Sequence, residues 1–223
     1  MCKGEAMGLL KKYLDENCDK KLPGALSFAT QKAFSKLDEL IEREPILQIA
    51  ASRNAYGHLR NSFVQILLET EIERQDIDAQ VTWKQVSGNG YKYPVIESKG
   101  VLITEHKIRT PKSLPTSSWY KNNRSFLNKE ISLFDDEIND KYDENNTPYV
   151  MLTYGGKDYK LDFVQLSLPN FGVTSWIDTY DITKAFSVVK PYNINQEKEI
   201  ELTFTKKVEE YIEERNNERK IQS

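Results

Sequence analysis

The chain has 223 residues, of which 39% are hydrophobic and 29% are charged, and its formal net charge is −3. These values are typical of a folded, soluble protein and exclude a disordered one, while the acidic net charge argues against a protein that coats nucleic acid over its whole surface. The two cysteines, Cys2 and Cys18, exclude a disulfide framework or a four-cysteine metal cluster, and no apolar run is long enough to cross a bilayer. We therefore expect a cytoplasmic protein.

The first third of the chain has the apolar periodicity of helices. Apolar residues recur at helical spacing from Ser27 to Pro45, and a second stripe runs from Ile46 to Leu67. Pro23 and the glycine that follows it predict a break in the opening segment. We expect a packed pair of helices within residues 1–75.

After Gln75 the spacing of apolar residues changes from the helical period to a period of two residues, which is typical of β-strands. Three β-branched or aromatic runs are separated by the turn sequences SGNG and SKG. They predict a three-stranded antiparallel meander with strands at Ile77 to Trp83, Tyr91 to Glu97 and Val101 to Arg109.

The rest of the chain predicts more sheet around an irregular insertion. Residues 110–147 are charged and contain prolines, so a long mobile excursion is expected there. A second hairpin is predicted at Tyr149 to Leu168, a further strand at Glu199 to Thr205 and a C-terminal helix in 206–223. The predicted fold class is α+β: the helical pair packs on a larger, mostly antiparallel sheet spanning 76–205, with the C-terminal helix, as one structural unit.

The insertion carries an abrupt change of charge. Residues 99–129 contain seven Lys and Arg and one acid, a local charge of +6, whereas residues 130–144 carry −6. Cations interleaved with aromatic rings are typical of surfaces that hold phosphates and stack on bases, although they also occur in solvated loops. The candidate nucleic-acid-binding residues are Lys107, Arg109, Lys112, Trp119, Tyr120, Lys121 and Arg124, with Phe126 among them.

One short string resembles a ribonuclease motif. Arg53-Asn-Ala-Tyr-Gly-His58 is similar to the Arg-Asn-x-x-x-His motif of HEPN ribonucleases. The resemblance implies metal-independent RNA cleavage, in which His58 shuttles a proton and Arg53 neutralises the phosphate. The alternative interpretation is a helix–helix contact at Gly57.

A second string resembles a metal-dependent nuclease. In Val101 to Lys107 an apolar strand ends in Glu-x-Lys, as in PD-(D/E)xK nucleases, which implies that Glu105 holds Mg²⁺ and Lys107 positions the attacking water. With Ser98 and Lys99 as the turn, Glu97 would lie too far from Glu105 to share the metal. The acids that remain as a second ligand are Asp76, Asp78, Glu69 and Glu71, and the alternative is an exposed Glu and Lys on an edge strand.

The junction between the basic and acidic stretches contains a short apolar peptide. Glu130 to Phe134 resembles the peptide by which bacterial replication and repair proteins hold the sliding clamp, with Ile131, Leu133 and Phe134 as its apolar residues. It departs from that pattern at Glu130, where glutamine is usual, and at Ile131, which replaces leucine. The alternative is that these residues attach the loop to the protein's own core.

The leading expectation is a non-catalytic accessory or regulatory protein that associates with DNA or RNA and uses no cofactor. A nuclease, with Mg²⁺ only in the Glu105 version, and a protein-only inhibitor or adaptor are the alternatives.

Overall fold

The computed structural model describes residues 8–86, 91–131, 147–157, 159–185, 205–206 and 209–210. The described residues between 8 and 185 form five α-helices: α1 (Leu9–Asn17), α2 (Leu22–Arg43), α3 (Pro45–Gln48), α4 (Arg53–Arg74) and α5 (Trp119–Arg124). A 3₁₀ turn precedes α4 at Ala50–Ser52, and another follows α5 at Ser125–Asn128. Six strands lie within the described ranges: β1 (Ala79–Gln85), β2 (Lys92–Ser98), β3 (Val101–Lys107), β4 (Tyr149–Gly155), β5 (Phe163–Pro169) and β6 (Trp176–Asp181).

The predicted α+β class is confirmed: α2 and α4 pack together against a sheet whose order follows the sequence from β1 to β6. The meander β1–β2–β3 and the hairpin β4–β5 are antiparallel, as predicted. The pairing of β3 with β4 is parallel, which the sequence analysis did not predict. A parallel pair needs a long crossover connection, and residues 108–148 supply it.

The opening segment is interrupted as expected, but the break lies between Asn17 and Leu22, and Pro23 itself lies in the first turn of α2. A proline is tolerated there, since the N–H it lacks has no intrahelical acceptor in any case. The helix then continues to Arg43 and ends before Pro45.

The second predicted helix begins later than expected. The residue after α3, Ile49, has an extended backbone, and α4 starts at Arg53 after the 3₁₀ turn. Ile46 and Ile49, which the apolar stripe placed in the core, are therefore 65% and 49% exposed. Further along the stripe, Tyr56, Ile66 and Leu67 are buried, whereas Leu59 and Phe63 are half-buried.

The turn between β2 and β3 differs from the predicted one. Ser98 pairs with Val101, so Lys99 and Gly100 form the turn instead of Ser98 and Lys99. Gly100 adopts a φ of +82°, and a Cβ there would lie 2.9 Å from the Asn17 side chain at the end of α1. Both the backbone conformation and the packing of α1 therefore require glycine at this position.

The two faces of the sheet are covered by different layers. α1, α2 and α4 cover the first, here called the helical face, where Ile103, Leu152 and Leu166 join the main apolar core. The second face is covered by residues 108–131, here called the crossover layer, through side-chain contacts on both its arms. All seven residues of β4 and of β5 are consequently buried.

The crossover layer first runs across the strands and then returns. Its outward arm is fixed by three hydrogen bonds: Ile108 N donates to Tyr154 O on β4, and the side chains of Gln165 on β5 and Trp176 on β6 donate to the carbonyls of residues 111 and 113. The return arm contains α5 and the following 3₁₀ turn. The described part of the predicted irregular excursion is therefore a packed layer.

Other predictions fall partly or wholly outside the described residues. The SGNG turn, residues 132–144 of the acidic run, and all of the strand predicted at Glu199 to Thr205 except Thr205 itself lie outside the described residues. Thr205, Lys206, Glu209 and Glu210 are helical, in line with a C-terminal helix. No helix in the described part of the chain is both long and apolar enough to cross a membrane.

Candidate nucleic-acid interface

The helix α5 and its 3₁₀ extension bury polar residues and expose aromatic ones. Lys121, Ser125 and Asn128 follow one another at helical spacing and are at most 8% exposed. Trp119 and Phe126, seven residues apart on the opposite side of the same turns, are 76% and 57% exposed. This is the reverse of the usual amphipathic helix on a protein core.

Each inward-facing polar residue is anchored by hydrogen bonds. Asn128 Nδ2 donates to the carbonyls of Tyr149 and Pro169, both at 2.8 Å, and its Oδ1 accepts from Tyr149 N at 2.9 Å. Ser125 Oγ accepts from Gly172 N at 2.9 Å, which ties the 3₁₀ turn to the β5–β6 connection. The orientation of this segment is thus fixed by buried polar contacts.

The start of α5 is anchored by Tyr120 and Lys121, which the sequence analysis assigned to nucleic acid. The Tyr120 ring lies 4.6 Å from that of Tyr93, and Lys121 Nζ donates to the Thr116 carbonyl at 2.6 Å. Burial lowers the pKa of Lys121, although the carboxylate of Glu105 opposes this shift. Both side chains serve the packing of the crossover layer and leave Trp119 on its outer surface.

A third exposed aromatic ring comes from the β5–β6 connection. Phe171 is 52% exposed, and its ring meets that of Phe126 edge to face, with centroids 5.9 Å apart. We call Trp119, Phe126 and Phe171 the aromatic face. The Trp119 indole has no hydrogen bond or ring contact with another described residue.

The seven cations between residues 99 and 129 do not form one patch. Lys99 lies beside Asp78 and Glu97 in a surface pocket, Lys107 lies on the helical face near Arg60, and Lys121 is buried. The other four belong to the crossover layer: Arg109, Lys112, Arg124 and Lys129. Among the described residues, none of these four forms an ion pair with a carboxylate.

Two of these cations lie against aromatic rings. The Lys129 ammonium is 5.4 Å from the centroid of Phe126, and the Arg124 guanidinium is 5.8 Å from that of Tyr93. Glu130, next to Lys129, is the exposed acid nearest in sequence. The crossover layer therefore combines exposed rings with a local excess of positive charge.

Glu105 lies on the helical face of β3 in a buried polar cluster. Its Oε1 accepts from Gln65 Nε2 at 2.8 Å, and its Oε2 accepts from the Tyr154 hydroxyl at 2.9 Å. Burial raises the pKa of Glu105, although these two hydrogen bonds and the charges of Lys121 and Arg60 oppose the shift. The Nε of Arg60 is buried and has no hydrogen-bond partner among the described residues. Lys107 follows on the same face, with its pKa lowered by partial burial and by Arg60.

Among the residues that the structure describes, no second acid lies beside Glu105. Glu97 pairs with Leu102, which puts it on the opposite face of the sheet from Glu105. Glu69 accepts from Trp83 Nε1, and Glu71 is paired with Arg74 at 2.6 Å. In the described ranges, no three His, Cys, Asp or Glu side chains are grouped to hold a metal ion.

Arg53 and His58 are both exposed in the first turns of α4. Between them, Tyr56 is buried against Tyr159 and donates a hydrogen bond to the Leu47 carbonyl. The motif-like string therefore surrounds a tyrosine that anchors the start of α4. The only described atom near a Cβ built at Gly57 belongs to the Arg60 side chain, at 4.0 Å, so no helix among the described elements packs closely there.

The clamp-like peptide is described only at its first apolar residue. Ile131 is 7% exposed and belongs to the main apolar core. Its N–H donates to the Asn128 carbonyl, so it continues the anchored crossover layer. Leu133 and Phe134 lie outside the described residues.

The sequence analysis missed two features of this region. Phe171 was not singled out, although an aromatic residue between Asn170 and Gly172 is a signal for an exposed ring at a turn. His106 was treated as part of an apolar strand. In the structure it is buried under the crossover layer, and its Nε2 lies 2.7 Å from Thr104 Oγ1. Nothing in the strand pattern distinguishes a buried histidine from an exposed one.

Comparison with known proteins found no match: no family model, curated protein or solved structure is significantly similar to this chain.

Proposed function

We propose that this protein is a non-catalytic nucleic-acid-binding accessory or regulatory protein that uses the outer surface of its crossover layer. The binding surface consists of the aromatic face together with Arg109, Lys112, Arg124 and Lys129. The observation that carries the proposal is the reversed polarity of α5, which buries lysine, serine and asparagine while exposing tryptophan and phenylalanine.

Folding alone does not favour this arrangement. Complete burial of a phenylalanine side chain stabilises a fold by roughly 1.5–3 kcal/mol, and three aromatic rings here give up at least half of that gain. The inward positions are instead occupied by polar groups that each need a hydrogen bond to be tolerated. Such an arrangement is expected where the outer face is kept for a partner.

The charges near the aromatic face favour a polyanion as that partner. Four cations lie in the crossover layer without carboxylate partners among the described residues, so they remain available to phosphate groups. Stacking on exposed rings combined with nearby Lys and Arg is how sequence-independent nucleic-acid surfaces bind. The surface offers exposed aromatic rings and positively charged side chains, which supports binding of a nucleic acid without catalysis of a reaction on it.

Salt dependence of binding tests the proposal. A labelled oligonucleotide is titrated with protein at several salt concentrations, for the wild type and for a variant carrying Arg109→Gln, Lys112→Gln and Lys129→Gln. Each phosphate contact contributes a slope of about −0.7 to the dependence of log affinity on log salt for a single strand. The triple variant is expected to bind more weakly and to lose up to about 2 from the magnitude of this slope.

Lys20→Gln is the matched control, since Lys20 is an exposed lysine on the helical side of the molecule. It is expected to leave both affinity and slope unchanged. A wild-type affinity that does not change with salt, or equal effects of the control and the triple variant, would contradict the proposal.

A further inference from the structure

We infer that the nucleic acid bound by the crossover layer is single-stranded, and that its bases stack on Trp119 and on the Phe126–Phe171 pair. This inference rests on the proposed function and adds the class of ligand. It follows from which faces of the rings are open, how firmly the rings are held, and how far apart they lie.

The ring most open to stacking is that of Trp119. Its indole is 76% exposed and contacts no other ring among the described residues, so its faces are accessible. In a duplex the faces of the bases are covered by their neighbours in the stack, whereas a single strand can turn its bases outward onto aromatic side chains. A surface built on exposed ring faces therefore discriminates in favour of single strands.

The aromatic face is held rigidly by the contacts beneath it. Tyr120 and Lys121 fix the start of α5, and Asn128 fixes its end with three buried hydrogen bonds. Gly172 N donates a hydrogen bond to Ser125 Oγ, which links the 3₁₀ turn that carries Phe126 to the β5–β6 connection that carries Phe171. Little backbone freedom is lost when a ligand binds such a surface, and this favours affinity.

The spacing of the rings suits a strand of several nucleotides. Trp119 and Phe126 are seven residues apart, which places them about 11 Å apart along the helix axis. That distance corresponds to roughly three nucleotide steps at the stacked rise of 3.4 Å per strand. The Lys129 ammonium, 5.4 Å from the Phe126 centroid, would then lie within reach of the phosphate beside the base on that ring.

The test compares three probes of equal length at one salt concentration. They are a labelled single-stranded oligothymidylate, the corresponding duplex, and an oligonucleotide whose central nucleotides are abasic and therefore keep the phosphates without the bases. The wild type is expected to bind the single strand at least tenfold more tightly than the other two probes. Trp119→Ala is expected to weaken single-strand binding about tenfold and leave duplex and abasic binding almost unchanged, because one stacked base is lost.

Two further variants separate stacking from folding. Trp119→Phe keeps an aromatic ring and should retain most of the affinity, whereas Ile46→Ala, which removes an apolar side chain that is 65% exposed on α3, should change nothing. Equal binding of single strand, duplex and abasic probes, with weakening only in the Gln triple variant, would overturn the stacking inference and leave the proposed function intact. Absence of binding to all three probes would overturn both and would assign the aromatic face to a protein partner.

Discussion

At the scale of single residues, the clearest consequence of burial concerns His106. Its Nε2 lies 2.7 Å from Thr104 Oγ1, and Tyr149 OH lies 2.6 Å from the same oxygen. Tyr120 and Lys121 lie above it in the crossover layer. Burial, assisted by the charge of Lys121, lowers the pKa of His106 well below its usual value of 6.5. The folded protein therefore keeps this imidazole neutral.

This shift predicts a loss of stability in mild acid. Below about pH 6.5 the unfolded histidine binds a proton and the folded one does not, so the free energy of unfolding falls as the pH falls. Between pH 7.5 and 5.5 this contribution amounts to at most about 1.4 kcal/mol. Urea unfolding of the wild type at these two pH values measures it, and His106→Gln is expected to be less sensitive to the change of pH.

Glu105 contributes to the pH dependence of the free energy of unfolding with the opposite sign, and its substitution serves as the control. Its pKa is raised, so in the folded state it takes up its proton at a higher pH than in the unfolded state, and its contribution to stability increases as the pH falls. Glu105→Gln removes this term and should make the acid-induced loss larger than in the wild type. If His106→Gln retains the full wild-type loss, the titrating group is a different one.

At the scale of elements, one asparagine attaches the crossover layer to the sheet. Asn128 connects the end of the 3₁₀ turn to β4 and to the end of β5 through its three side-chain hydrogen bonds. A residue of this type carries two donors and an acceptor in one planar group, which matches the backbone groups at the two strand ends. The side-chain hydrogen bonds of Asn128 therefore help to attach the crossover layer to the sheet.

Asn128→Ala tests this dependence. It leaves Tyr149 N–H and two carbonyl groups buried without partners, at an expected cost of roughly 2–4 kcal/mol in the free energy of unfolding. Asn123→Ala, an exposed change on α5, is the control and should alter stability by less than about 0.5 kcal/mol. Chemical unfolding of both variants gives the comparison, and a small effect of Asn128→Ala would mean that water replaces its hydrogen bonds.

At the scale of the whole molecule, a hydrogen bond joins helix α1 to strand β6. Asp178 on β6 accepts a hydrogen bond at 2.7 Å from Leu10 N in the first turn of α1. Asp178 caps a helix 168 positions away in sequence, and Asp181 accepts from Thr183 in the turn after β6.

Removing this long-range cap should loosen α1. Asp178→Ala is expected to lower the free energy of unfolding by about 1 kcal/mol, because an N-terminal amide of the helix loses its acceptor. Asp178→Asn keeps an acceptor oxygen and should lose less. Hydrogen exchange at the first amides of α1, measured with the unfolding curves, should accelerate in the alanine variant. If these amides are as well protected in Asp178→Ala as in the wild type, the cap is dispensable.

The sequence by itself determined the α+β class, the meander and the second hairpin. Each of these depends on local apolar periods and turn residues, such as the alternation in Val101 to Lys107, and such patterns act over a few neighbouring residues. Apart from Phe171, the cations and aromatic rings of the candidate interface were also identified in the sequence. Their division into buried and exposed members was not.

Only the tertiary structure decided which of these residues could face a partner. Lys121 and Trp119 are two positions apart, yet one is buried and the other is 76% exposed, because the polar anchors at Ser125 and Asn128 set the rotation of α5. Those anchors bond to strand ends and a turn more than 20 residues distant in sequence. The parallel pairing of β3 with β4 is equally non-local, since a long crossover has to be packed before the two strands can meet.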